Sequence, residues 1–130
     1  MIEAVVSNTN YQLARKMLDA SVLRQDAIAN NIANADTPGY RRIDVAADFG
    51  QALKAQFASG STPARGSLDS ITPRLAVDQT VHAVRPDGNS VEIESELMAM
   101  SRNRVDHEFL TELVSRNIKQ LKMAITGRSA

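Results

Sequence analysis

The chain contains no cysteine and no tryptophan. Without cysteine there is no disulfide framework, no thiol nucleophile and no cysteine-ligated metal, and either redox compartment is compatible with it. Aromatic residues make up only 4% of the sequence, so the large rings that supply much of the buried area in compact enzymes are nearly missing. Ala, Leu, Ile, Val and Met are left to fill the interior, a composition suited to helix–helix seams rather than to a sheet sandwich. An excess of one charge is also missing, since 15 basic and 15 acidic residues cancel. A nucleic-acid binder normally carries a basic excess or a basic stripe, and that class is set aside. No run approaches the roughly 20 apolar residues of a membrane-spanning helix. The start, Met1-Ile2-Glu3-Ala4-Val5-Val6-Ser7, lacks the basic region of a cleavable secretory signal. The expected location is therefore cytoplasmic, unless the protein leaves by a route that needs no such signal. For 130 residues a single domain is the default.

What is present falls into three zones. Residues 10–35 read as one long helix, uninterrupted by Gly or Pro. Ala14, Leu18, Ser21, Gln25, Ile28, Ile32 and Ala35 follow alternating steps of four and three, the narrow stripe of a coiled-coil seam. The polar Ser21 and Gln25 sit mid-stripe, either at a wet edge or setting register. The helix stops at Thr37-Pro38-Gly39, because the residue before proline is driven from helical geometry and glycine permits a positive φ.

Residues 45–87 hold three of the four prolines. Ala58 to Ser67 is small and polar like a linker. Phe49, Leu53 and Phe57, four apart, allow a short amphipathic helix. Leu75-Ala76-Val77 and Val81-His82-Ala83-Val84 suit short extended segments, and Arg85-Pro86-Asp87-Gly88-Asn89 is a turn by composition.

Residues 90–126 read as a second long helix. Asn89 is placed to be its N-cap, with Glu92 three residues on completing a capping box. Glu92, Glu94 and Glu96 at its start, and Arg116, Lys119, Lys122 and Arg128 toward its end, suit the helix dipole. Ile93, Leu97 and Met100 open an apolar stripe that Leu110, Val114, Ile118, Leu121 and Ile125 continue. Arg102, Arg104, Asp106 and His107 interrupt it, which suggests two interfaces, and Gly127 ends the helix.

Chemistry is sparse. No phosphate-cradling glycine loop, nucleophile elbow or paired-histidine metal motif occurs. His82 and His107 lie in different zones without ligand partners nearby, and alternate glutamates on a helix point apart. No catalytic, cofactor or metal residue is expected. The informative run is Ala29-Asn30-Asn31-Ile32-Ala33-Asn34-Ala35-Asp36-Thr37-Pro38-Gly39-Tyr40-Arg41-Arg42. Asparagine is a poor interior helix residue because its amide competes for backbone hydrogen bonds. Two readings follow: the side chains cap their own helix end, or their amides bond to neighbouring subunits.

This run of 14 positions resembles the amino-terminal signature of bacterial flagellar axial proteins, the rod and hook group. The signature there is an Ala-Asn-Asn-Ile-Ala-Asn core, a Thr-Pro-Gly or Thr-Thr-Gly turn and an aromatic residue; Asp36 stands where many members carry Asn. The chain's shortness, the lead Arg85 to Glu94 and the ending Ser115 to Ile125 are similar to those of the proximal rod subunits. The resemblance implies a mainly α fold, with two long terminal helices packed as an antiparallel coiled-coil-like pair. Between them is a loop-rich middle with at most a short helix and short extended segments. It divides the chain into residues 1–44, 45–88 and 89–130, the outer two being halves of one assembly module. It also implies a structural subunit, exported without a cleaved signal into the periplasmic rod that transmits torque. Expected partners are further copies, other rod proteins, a rod-base adaptor of the FliE type, and the membrane ring and export gate. No nucleic acid, small-molecule substrate or cofactor is expected. Alternatives are the second proximal rod protein, or a cytoplasmic helical adaptor or export chaperone.

Overall fold

A computed structural model describes residues 9–58, 60, 63–64, 66–80 and 83–127. The amino-terminal start, Val81, His82 and Arg128 lie outside these residues. Helix α1, Thr9–Ala33, and helix α3, Ile93–Thr126, contain neither Gly nor Pro, so nothing breaks their hydrogen-bond ladders. Between them come strand β1, Ile43–Val45, helix α2, Ala47–Phe57, and strand β2, Leu75–Val77. Gly127, at φ 63, closes α3 by donating its N–H to the Met123 carbonyl at 2.9 Å, a left-handed cap that favours glycine. β1 and β2 form an antiparallel pair with Ile43 opposite Val77 and Val45 opposite Leu75. Among the described residues no helix is long and apolar enough to cross a membrane.

The most extensive packing between elements is α1 against α3. Asn31 meets Glu96, Gln25 meets Asn103 and Ser21 meets His107, so the partners run in opposite order along the two helices. On α1 the buried residues include Ala14, Ser21 and Ile28, with Ala20 and Ala27 beside them. On α3 they are Glu96, Asn103 and Leu110. Both sets recur every seventh residue, the period of a helix pair that keeps one line in contact. Small side chains dominate the α1 side, which lets the helices approach closely.

The apolar core lies to one side of this pair. Ala20 of α1, Phe49 and Leu53 of α2, and Leu68 from the turn beyond it form a buried cluster, with Leu13, Val45, Phe57 and Ile71 packed around it. Phe49 and Leu53 are one helical turn apart, so α2 turns a single apolar edge toward α1. Leu68, 1% exposed, fixes the chain after the polar linker. The middle zone therefore supplies most of the side chains of this core.

Candidate assembly junction

The last turn of any helix leaves carbonyls without intrahelical donors. Around the end of α1, carbonyls of its last turns and of the residues just beyond them meet three kinds of side-chain donor. Asn30 and Asn34 turn back on their own helix, donating from Nδ2 to the carbonyls of Asp26 and Asn30, each at 2.9 Å. Asn89, wholly buried, comes from the other end of the sequence and donates from Nδ2 to the carbonyls of Asn34, Ala35 and Thr37 at 2.9, 3.0 and 2.8 Å. The Arg85 guanidinium also donates to the Ala35 carbonyl. Asn89 is thus not the N-cap of α3. That position falls to Glu92, which makes no side-chain cap bond, because the Asn89 amide is committed to α1 and its Oδ1 accepts the Val91 N–H at 2.8 Å.

Two turns meet here. Gly39, at φ 73, donates its N–H to the Asp87 carbonyl at 2.9 Å, and the Ser90 N–H donates to the Tyr40 carbonyl at 3.1 Å. Gly88, at φ 82, lies so close that a Cβ there would stand 3.3 Å from the Cα of Gly39. The Arg42 N–H donates to Ser90 Oγ at 2.8 Å. The Thr-Pro-Gly-Tyr turn and the Arg-Pro-Asp-Gly-Asn turn are therefore two halves of one clasp.

Asn31 and Arg42 extend the clasp into the helix pair. Asn31 is completely buried, and its carboxamide spends every valence inside the chain. Nδ2 donates to the Ile43 carbonyl at 2.9 Å and to Glu96 Oε2 at 3.2 Å. Oδ1 accepts the Ile43 N–H at 3.0 Å and the Tyr40 hydroxyl at 3.2 Å. Arg42 donates from Nε to Glu96 and from Nη1 to Asp78 at 2.6 Å, and both Nη atoms reach Asp44 at 3.2 Å. Arg24 of α1 donates to the other Asp44 oxygen at 3.2 Å. Glu96, fully enclosed, is tolerated because its charge is paired and hydrogen-bonded.

The electrostatics follow. Burial alone would lower the Arg42 guanidinium, but hydrogen bonds and charge from Glu96 and Asp44 outweigh it and hold it above its usual range. Burial pushes the Asp78 carboxyl up, yet hydrogen bonds from Thr80 together with Arg42 hold it below the ordinary carboxylate range. The Tyr40 phenol is pushed up by burial and by the charge of Glu96. Donors and charges here are matched to one another, an arrangement that fixes geometry.

Of the signature residues, Asn31 and Ala35 are buried, Ile32, Asn34 and Tyr40 half-buried, and Ala29, Asn30, Ala33, Thr37, Pro38 and Gly39 exposed. The seam residues divide similarly. Ala14, Ser21, Ile28 and Leu110 are buried; Leu18, Met100, Val114 and Leu121 are half-buried; Gln25, Ile93, Leu97, Ile118 and Ile125 are exposed. The enclosed line on α3 runs instead through Glu96 and Asn103, polar residues that a search for apolar spacing passes over. They enter the seam because polar partners await them: Asn103 donates from Nδ2 to the Ser21 carbonyl at 2.9 Å and to Gln25 Oε1 at 3.2 Å. Ser21 Oγ pairs with His107 Nδ1 at 2.9 Å. Sequence reasoning missed the junction roles of Arg42, Asn89, Glu96 and Asn103, having given Asn89 and Glu96 to the start of the second helix instead. The one signal for Glu96 and Asn103 was their place in a seven-residue repeat that ends at Leu110.

The clasp joins the segment after the first long helix to the segment before the second, and sequence comparisons place the class of protein as a flagellar rod protein. The family described as "Flagella basal body rod protein" matches residues 18–41, the end of α1 and the clasp turn. The chain is 31% identical over 127 residues to the flagellar basal body rod protein FlgB of Borrelia hermsii, covering 87% of this chain and 93% of that protein. Against FlgB of Aeromonas hydrophila it is 34% identical over 113 residues, covering 80% and 83% of the two chains. Against FlgB of Bacillus subtilis it is 26% identical over 118 residues, covering 85% and 88%. The chain belongs to the FlgB family of flagellar basal body rod proteins.

Proposed function

We infer that the chain is a structural subunit of the proximal rod of a bacterial flagellar basal body. The observation that carries this reading is similarity along most of the chain to FlgB rod proteins, with the family match at residues 18–41 including the turn that the fold uses as its clasp. In this role α1 and α3 act as a coiled-coil-like pair within a tube wall, with residues 1–44 and 89–130 as the two halves of the polymerising module. The clasp holds the halves in one register so that every copy presents the same surface. Export without a cleaved signal, assembly in the periplasm, and contact with other rod proteins, a rod-base adaptor of the FliE type, the membrane ring and the export gate belong to the same proposal. Transmission of torque, rather than catalysis, is the work assigned to the chain.

The test is fractionation. An epitope-tagged chain expressed from its own locus should sediment with purified basal bodies, and a strain lacking it should be non-motile and rodless by electron microscopy. A tagged chain that remains in the cytoplasm, in cells that still build rods, overturns the reading.

A further inference from the structure

Between α1, α2 and α3 runs an open groove of about 940 Å³. Buried residues of the two long helices, Ala14, Ser21, Asn103 and Leu110, form its floor. Phe49, Leu53 and Phe57 line it from α2, and Phe109 and Leu113 from α3. Phe109 is 64% exposed, so the α3 wall lies largely uncovered. The buried cluster that holds α2 joins it to α1 and the Leu68 turn, and includes no residue of α3. Among the described residues no hydrogen bond or ion pair runs from α2 to α3; the salt bridge that α2 does make joins Asp48 to Arg74 on the surface, at 2.8 Å.

The two walls match across this gap. Lys54 lines the groove from α2 and Asp106 from α3. Both are exposed, and among the described residues neither makes a hydrogen bond or ion pair. The remaining charge in the lining, Arg24, is already paired with Asp44 at 3.2 Å. Gly50 also lines the α2 wall, where a Cβ would meet nothing within 4 Å. Glycine inside a helix weakens it, yet a bare backbone at this place lets a facing helix come close. The anchoring of α2 is uneven as well. At its start the Ala46 N–H donates to the Arg74 carbonyl at 2.8 Å, and Phe49 and Leu53 are buried. Its end, at the half-buried Phe57, runs into the small, polar stretch 58–67.

We propose that α2 is a strap that closes over the groove onto α3, pivoting at Phe49 and Leu53 and latched by Lys54 on Asp106. Apolar walls gain by shutting out water between them, and the opposite charges give the motion its direction. Closure brings Phe57 toward Phe109 and Leu113, turns the helix pair into a three-helix bundle and hides the groove lining. Opening exposes that lining and breaks the latch. The strap is a property of the single chain and stands whether or not the rod reading holds.

Because the chain has no tryptophan, a single introduced indole reports closure. Full-length Phe109→Trp is compared with Val105→Trp, which is equally exposed on α3 but lies outside the groove lining. From fluorescence lifetimes, acrylamide should quench Phe109→Trp at about half the rate of Val105→Trp or less. Adding Asp106→Lys should raise the Phe109→Trp rate about twofold, an effect of the size a surface ion pair supports, and adding Lys54→Asp as well should lower it again. Equal quenching at the two positions overturns the strap, as does protection that Asp106→Lys leaves intact or that the charge swap fails to restore. Protection that fades on tenfold dilution also overturns it, since the cover then comes from a second copy.

Discussion

Asn31 and Glu96 stand 65 residues apart in sequence, both fully buried, with Asn31 Nδ2 3.2 Å from Glu96 Oε2. This bond joins the family signature at the end of α1 to the first turn of α3. Removing the carboxylate should therefore disturb more than one contact. Glu96→Ala removes one of three carboxylate partners of Arg42 and one of two acceptors of the Asn31 amide, and truncating one partner of a buried pair costs about 3–5 kcal/mol. The lower end is expected, since Arg42 retains Asp44 and Asp78. Glu96→Gln, which keeps an acceptor, should fall between wild type and Ala in urea unfolding. Identical midpoints for all three proteins would show that the bond contributes nothing.

Asn89→Ala should destabilise the chain by about 2–3 kcal/mol, because carbonyls at the end of α1 lose their donor while staying partly buried. Asn89→Asp is the sharper experiment. It retains the acceptor for the Val91 N–H but replaces the donor with a charge facing carbonyl oxygens, so it should melt no higher than the Ala variant. An Asp variant as stable as wild type would mean that the amide does not cap α1.

The two clasp glycines should respond unequally. Each sits in the left-handed region, where a side chain costs about 1–2 kcal/mol. A Cβ at Gly39 meets nothing within 4 Å, whereas one at Gly88 meets the Gly39 backbone at 3.3 Å. Gly88→Ala should lower the melting temperature more than Gly39→Ala. Gly39→Val, β-branched and strained, should be synthesised normally but impair rod assembly; soft-agar motility equal to wild type would count against a role for the turn.

Acid should loosen the Arg42 network through Asp78. Its pKa in the folded chain is depressed below the ordinary 3.8, so the folded state binds this proton less readily than the unfolded one. The contribution is complete above the unfolded pKa and is lost as pH falls through the folded value. Asp78→Asn should be less stable than wild type near neutrality, and the gap should narrow as pH is lowered below 3.8. A gap that stays constant across that range would remove Asp78 from the account.

The two long helices were legible in the sequence because the absence of Gly and Pro and the four-three apolar spacing are local signals. Their register was not. The enclosed positions on α3 include Glu96 and Asn103, which look like surface residues until Arg42, Asn31 and Ser21 are placed opposite them. Ile93 and Leu97, apolar and well spaced, face outward instead. Asn89 was readable as a capping residue, but not as the cap of a helix that ends more than fifty residues earlier, since no local pattern encodes a long-range acceptor. The signature run was legible as a motif, and its asparagines serve the fold internally, two on their own helix and one on the strand, Tyr40 and Glu96.

The middle of the α1–α3 seam, with Asn103 on the Ser21 carbonyl and Gln25, and His107 on the Ser21 hydroxyl, has a mechanical consequence. Apolar surfaces attract without direction and can slide past one another at little cost. Hydrogen bonds that must break before a shift can occur act as pins against shear along the helix axis. A shaft member under alternating load would gain stiffness from such pinning, at the expense of a seam whose energy is concentrated in a few contacts.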